Sequence, residues 1–588
     1  MTASPATTMC AAFQATIART PGVVGVRTAG DRRAMTFGEW GEWAREIAGG
    51  LAGLGVRAGD RVALMMTNRP EFYPVDTAVV HLGAAPFSMY NTSSPEQINH
   101  LLTDSGAEVV VCEEQFLTSI DKGRTGTRVK HVVCIDAEIE GTLSLDQVAA
   151  AVDPDFDFES TWRAVQPDDV LTLIYTSGTT GAPKGVQLTH ANMLAMVRAT
   201  ISLANATRDE RVLSFLPSAH IADRWSALYL SMYLGNTITT VADRAGFAPG
   251  LADCRPTLLG AVPQVWQKLR GGIEENLSEA TGAKAKLAKW AVAVGRRMSD
   301  ARLDGDRIGP LLRAQHAVAD SLVLSKVRTT LGLDSIKVAI SGAAPVSPEL
   351  LRYFNGLGIE VSDAWGMSEL SGMASICPPG QVRPGTVGKP VDGLDVRIAD
   401  DGEILVRGPL VMKGYLNQPE QTAEIIDPEG WLHTGDIGDL DPDGYLRIVD
   451  RKKELIINAG GKNMSPSNIE NWIKAFAPMI GQAIAIGDNR KYNVALISLD
   501  PDVATAFAEK HGLPADPAVL ATHPELERTV ADAIDQANTK LSRVEQIKKF
   551  RIVPDFWQPG GALVTPTMKP RRKPIHERYS AVIEDLYT

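Results

Sequence analysis

The sequence predicts an α/β fold in which mainly parallel sheets are sandwiched by helices. Three observations lead there. Short apolar runs alternate with amphipathic helical stretches between residues 36 and 120. Hydrophobic residues make up 44% of the 588 and charged residues 22%, the balance of a globular chain with large cores. No internal repeat or long low-complexity tract breaks the pattern, and the length leaves room for roughly four domain-sized units.

Each early element has a local reason. Residues 37–54 set Trp40, Trp43, Ala44, Ile47, Leu51 and Leu54 at helical spacing, and Gly55 stops the helix. Residues 61–66 form a short apolar run, a buried strand. A helix through 72–82, an apolar run at 84–89, a helix near 96–102 and a strand at 109–111 follow. Strands and helices in alternation pair in parallel through helical crossovers.

Charge and cysteine content narrow the function classes. A formal net charge of -11 argues against bulk electrostatic binding to nucleic acid or anionic membranes, and leaves a local basic patch open. Five scattered cysteines without a C-x-x-C suit free thiols in a reducing cytosol better than disulfides or zinc. Residues 1–20 do not read as a signal peptide. No apolar run reaches the ~18 residues of a membrane span. The expected location is cytoplasmic, with peripheral contact at the inner face of the membrane left open.

The most informative stretch is residues 175–185, Y-T-S-G-T-T-G-A-P-K-G, after the apolar β-type run 170–174. Gly178, Gly181 and Gly185 give backbone freedom, Thr176, Ser177, Thr179 and Thr180 supply hydroxyls, and Lys184 adds a cation. Such a loop turns N–H groups inward around an anion, and with a lysine the natural guest is a polyphosphate. The spacing G-x-x-G-x-x-K-G is not the Walker pattern, which disfavours a P-loop NTPase. A flexible Ser/Thr/Gly surface loop is the plain alternative; the strand before it and the lysine after it argue otherwise.

These eleven residues resemble the phosphate-binding signature of the adenylate-forming superfamily of acyl-CoA synthetases, peptide-synthetase adenylation domains and luciferases. Other segments extend the resemblance over residues 35–580, to a bacterial long-chain fatty acyl-CoA synthetase. Residues 216–224 resemble the L-P-x-x-H-x-x-x-R element of long-chain members, which implies acyl-site roles for His220 and, lining or gating the tail pocket, Trp225. A lone histidine fits a structural role equally well. Residues 256–266 resemble a scaffold segment, and 271–325 read as a solvated helical pair. Ser341-Gly342-Ala343-Ala344-Pro345 resembles the adenine floor, after a strand at 336–340. Trp365-Gly366-Met367-Ser368-Glu369 resembles the aromatic-G-x-T/S-E motif, with Trp and Ser where the family usually has Tyr and Thr.

The resemblance implies stacking of Trp365 on adenine, a Ser368 hydroxyl at the α-phosphate, and Mg²⁺ on Glu369, with Thr176 as a second candidate ligand and Asp363 beside the nucleotide. Residues 431–436 resemble the T-G-D element that binds ribose through Asp436, and Asp450-Arg451-Lys452-Lys453 the D-R-x-K hinge, with Arg451 also at ribose and Lys453 as the pivot. The expected domains are therefore 1–450, which binds AMP and the acyl chain, and 451–588, a small mobile α+β lid. Gly460 and Gly461 are expected near coenzyme A. Residues 565–573 resemble the ending of long-chain members whose lysine, here Lys569, supplies the adenylation cation; Pro570 is a departure that biases Lys569 to extended geometry.

The implied chemistry has two steps. A long-chain fatty carboxylate attacks the α-phosphorus of ATP and expels pyrophosphate; the thiol of coenzyme A then attacks the acyl-AMP carbonyl, so no catalytic cysteine is needed. Two other readings remain open at this point: an acyl-AMP ligase that loads a carrier protein, and a degenerate acyl- or nucleotide-binding protein. A kinase lacks its signatures here. The sequence points to no nucleic-acid partner and is compatible with a homodimer.

Overall fold

A computed structural model of the chain describes residues 6–176, 182–243, 245–459, 462–565 and 568–588. Its centre is a nine-stranded sheet. Six neighbouring strands run parallel, in the spatial order Val24–Thr28, Thr237–Thr240, Arg211–Ser214, Leu258–Ala261, Val338–Ser341 and Val361–Trp365. Antiparallel strands Ala34–Thr36, Ser375–Ile376 and Lys389–Pro390 close its edges. A second sheet, wholly parallel, orders Ala85–Ser88, Arg61–Met65, Val109–Cys112 and His131–Cys134. The expected parallel α/β architecture is what the chain adopts.

The early helices stand where periodicity puts them. Phe37–Gly53 is capped by Thr36, whose side chain and that of Glu39 form a reciprocal capping box, and Gly55 follows with a φ of 94°. Trp40, Ala44, Ile47 and Leu51 form its buried face. The strand expected at 336–340 lies slightly later, at Val338–Ser341. Residues 271–325 are more than a helical pair. Helices Pro263–Ser278, Gly282–Leu303 and Pro310–Ala319 are followed by a wide turn, Asp320–Leu324, and a last helix, Ser325–Leu331. Gly309 and Pro310 start the third helix after a break at 304–309, which an alanine- and charge-rich composition does not announce.

After Arg451 the chain forms a separate α+β domain with its own core. Strands Ile480–Ile486 and Asn493–Leu499 pair antiparallel, Ile547–Ile552 joins in parallel, and helices Pro466–Phe476 and Pro524–Asn538 pack on them. All five cysteines are free and buried. Among the described residues no helix is long and apolar enough to cross a membrane.

The core of the large domain holds a titratable group. His81 is fully buried, stacks on Phe158 at 5.4 Å, donates from Nδ1 to the Thr77 carbonyl at 2.8 Å and accepts at Nε2 from Gln14 at 3.2 Å. Burial lowers its pKa from 6.5 to about 4. The folded protein therefore keeps it neutral while the unfolded chain takes up a proton. This contribution is intact above pH 6.5 and drains away as pH falls towards 4. His81→Gln removes about 3 kcal/mol of that pH dependence, read as a shallower loss of unfolding free energy over the window than wild type shows.

Candidate active site

A cleft of about 2860 Å³ runs between the large domain and the C-terminal domain. It opens at the carboxyl ends of the parallel strands, where α/β sheets form their crevices. Gly342, Ala343, Ala344 and Pro345 line it directly after Val338–Ser341. Ala343 holds a φ of 66°, a left-handed conformation that a side-chain-bearing residue adopts at a cost of ~1–2 kcal/mol. On the neighbouring strand, Asp363 and Trp365 lead into Gly366, Met367 and the helical turn Ser368–Leu370. Gly366 is dictated by contact, since a Cβ there would stand 1.9 Å from the Gly372 carbonyl oxygen. Burial raises the pKa of Asp363.

Asp436 and Arg451 are cross-strand partners on Leu432–Leu440 and Leu446–Arg451. Arg451 Nε lies 3.2 Å from one Asp436 oxygen, and Trp365 Nε1 donates to the other at 2.7 Å. Burial raises the pKa of Asp436, and Arg451 and Trp365 pull it back. The tryptophan that departs from the family's tyrosine therefore orients the carboxylate. Trp365→Phe deletes a hydrogen bond to a charged group, ~1.5–3 kcal/mol. We expect the KM for ATP to rise ~10- to 100-fold with a smaller change in kcat, measured by steady-state pyrophosphate release.

Thr176 and Lys184 face each other across the hairpin of strands Val170–Thr176 and Lys184–Thr189, and both line the cleft. Ser177, Gly178, Thr179, Thr180 and Gly181 lie outside the described residues, as do Gly460 and Gly461. Sequence reasoning missed Tyr415. It lies on the short strand Gly414–Tyr415, paired with Lys184–Thr189. Its hydroxyl donates to Glu369 Oε1 at 2.8 Å, and Lys184 Nζ stands 4.8 Å from its ring centre. It thus links the phosphate-loop lysine to the candidate metal carboxylate.

Glu369 Oε2 accepts no hydrogen bond among the described residues, and no cluster of three His, Cys, Asp or Glu side chains forms there. One buried carboxylate with a spare oxygen fits Mg²⁺, which takes one or two carboxylates and completes its shell with phosphate oxygens and water.

Lys569 enters from the C-terminal domain at the tip of a hairpin. Thr565 N donates to the Lys569 carbonyl at 2.8 Å and Arg571 N to the Leu563 carbonyl at 2.8 Å, with Val564 opposite Pro570. In that register the residue at 570 donates no ladder hydrogen bond, so a proline fits without loss. Lys569 reaches into the cleft and is enclosed by its walls; this enclosure and the adjacent Arg451 lower its pKa, while Asp436, Glu454 and Glu369 pull it up. Beneath the hairpin, Arg572 grips Glu470 at 2.7 and 3.0 Å. Asp450 receives the Ser465 hydroxyl at 2.6 Å and the Ser467 amide at 3.0 Å, which ties the interdomain segment to helix Pro466–Phe476. Lys453 lines the cleft just beyond.

His220 and Trp225 also face the cleft. His220 Nδ1 accepts the Ala222 amide at 3.1 Å, which leaves Nε2 to carry the proton. Burial and then Lys569 lower its pKa from 6.5 to about 4, so it is a neutral donor. Trp225, in a wide π-type turn over Arg224–Tyr229, donates to Thr200 Oγ1 at 2.8 Å and covers Gly372. Under this turn Arg224 meets Asp76 at 2.6 Å and Tyr229 at 3.0 Å, all fully buried.

Comparison with known proteins agrees with this geometry. Residues 13–416 match the AMP-binding enzyme family and residues 453–588 the AMP-binding enzyme C-terminal domain. A Mycobacterium tuberculosis protein with the provisional name fatty-acid–CoA ligase FadD11 is 54% identical over 449 residues, 76% of this chain and 79% of its own. The long-chain-fatty-acid–CoA ligase FadD15 of the same organism is 38% identical over 564 residues, 94% of this chain and 92% of its own. The adenylation domain of a Mycobacterium chelonae carboxylate reductase superposes with a TM-score of 0.76 at 21% identity, over 100% of this chain and 92% of that one. A nucleotide-type cleft at the strand ends, a C-terminal domain that delivers Lys569 into it, and matches spanning both parts agree: the chain belongs to the AMP-binding enzyme family, within the adenylate-forming superfamily.

Proposed function

We propose that the protein is a cytoplasmic long-chain fatty-acid–CoA ligase that forms acyl-AMP and pyrophosphate from ATP, then acyl-CoA and AMP. The supporting observation is the meeting of Lys569 with Glu369 and Asp436 in a cleft that also has a long apolar wall. Leu269, Ile273 and Leu277 are spaced four residues apart on helix Pro263–Ser278 and present one face to that wall.

In the first step Asp436 and Arg451 hold the ribose and Trp365 lies against the base. Ser368 and Lys569 meet the α-phosphate, while Lys184 and the 177–181 loop take the phosphates that leave. His220, as a neutral Nε2 donor, orients the fatty carboxylate. Mg²⁺ on Glu369 would neutralise phosphate charge. The protein makes no covalent bond; it positions the reactants and offsets developing charge. The domains divide at 450/451. Rotation about Lys453 would withdraw Lys569 and bring the Gly460–Gly461 segment to the thioester site, a gating motion.

The test is pyrophosphate release from ATP and Mg²⁺ with fatty acids of graded length, with and without coenzyme A. Release with long chains, and thioester only when coenzyme A is present, is the expected result. Adenylate that ignores coenzyme A would point to carrier loading, and no release with any acid would overturn the reading.

A further inference from the structure

Exposed apolar side chains gather on one face of the helical excursion. Leu311 is 70% exposed, Val318 50%, Leu322 45% and Leu287 37%. Leu311, Val318 and Leu322 follow at steps of seven and four along helix Pro310–Ala319 and its continuation, which makes them a single stripe. Leu287 belongs to helix Gly282–Leu303, packed against that continuation. Leu287 and Leu322 also line the cleft, so the stripe runs without interruption into the apolar wall of Leu269, Ile273 and Leu277.

Charge sets this surface apart from the rest of the chain. Residues 280–331 carry ten Lys and Arg against four Asp, within a chain of formal net charge -11. Lys284, Lys286, Lys289, Arg313 and Lys326 are exposed, and among the described residues none of them meets a carboxylate. Lys284 and Lys326 stand at the cleft itself.

We propose that this face docks on an anionic lipid bilayer, with the apolar stripe in the interface and the cations at the headgroups, so that an acyl chain passes from the bilayer into the cleft. The proposal rests on the reading of the cleft as an acyl site. Leucines and valines open to water are favoured to leave it, and long cationic side chains can follow them while their charges stay among headgroups. A surface of one sign with no internal partners matches a membrane better than a second copy of itself, since two such faces would repel.

The experiment is co-sedimentation of the full chain with vesicles of phosphatidylcholine alone and of phosphatidylcholine mixed with phosphatidylglycerol. Binding to the mixed vesicles, weak binding to the neutral ones, and loss of binding as salt is raised are expected. Lys286→Glu, Lys289→Glu and Arg313→Glu combined weaken binding ~100-fold or more, and Leu311→Glu with Val318→Glu abolishes it. These positions lie outside the cleft, so pyrophosphate release with a water-soluble shorter acid stays at the wild-type rate, which separates failure of docking from failure of the enzymatic reading. The proposal is overturned if wild type stays in the supernatant, if the variants bind equally well, or if the leucine–valine variant instead splits a dimer in the absence of vesicles.

Discussion

Lys569→Ala lowers fatty-acid-dependent pyrophosphate release by about 100- to 1000-fold, the size of losing one preorganised charge at a transition state. Conversion of supplied acyl-AMP to acyl-CoA stays within a few-fold of wild type, because that step runs after Lys569 has withdrawn. The contrast between the two half-reactions checks both the residue and the fold of the variant. Enclosure and Arg451 lower the Lys569 pKa, so wild type loses the lysine charge at a pH below that of a free lysine. The first half-reaction should decline on the alkaline side, and Lys569→Arg should shift that limb upward even if its maximum is lower. An alanine variant that adenylates at the wild-type rate would move the role to another cation, with Lys184 the next to test.

Asp76→Ala costs about 3–5 kcal/mol, because it leaves Arg224 charged and buried with no counter-ion. Asp76 Oδ1 and Arg224 Nε already lack partners, so the pair has no spare contact to absorb the loss. Replacing both residues at once, Asp76→Leu with Arg224→Met, recovers most of the stability, since an apolar pair of similar volume avoids the desolvation of two ions. The check is the urea midpoint of the large domain for the two single variants and the double. A strictly additive cycle would mean that the two charges do not depend on each other. Arg224 underlies the turn that carries His220 and Trp225, so Asp76→Ala should also raise the KM for the fatty acid while the double variant restores part of it.

What could be read from the sequence was local. Helix Phe37–Gly53 was legible because its apolar spacing and its Thr36–Glu39 capping pair both lie within one short stretch. The adenine floor and the Trp365–Glu369 turn were legible as small-residue or glycine-bearing segments at the ends of strands. Tyr415 was not, since its place beside Glu369 and Lys184 comes from pairing with a strand far away in the chain. The fitness of Pro570 was hidden for a similar reason. Whether a proline costs a hydrogen bond depends on the parity of its ladder position, and only the pairing with Val564 sets that parity. The helices beyond Pro263–Ser278 were counted short because alanine and mixed charge extend a helix without marking its end.

The buried cysteines carry a practical consequence. Burial raises the pKa of every one of the five thiols, which leaves the folded chain nearly silent to maleimide at neutral pH. A cysteine placed at Lys268 on the large domain and another at Asp502 on the lid, now in ion-pair contact, would take fluorophores with no background to subtract. Energy transfer between them would follow the lid through a catalytic cycle, one molecule at a time.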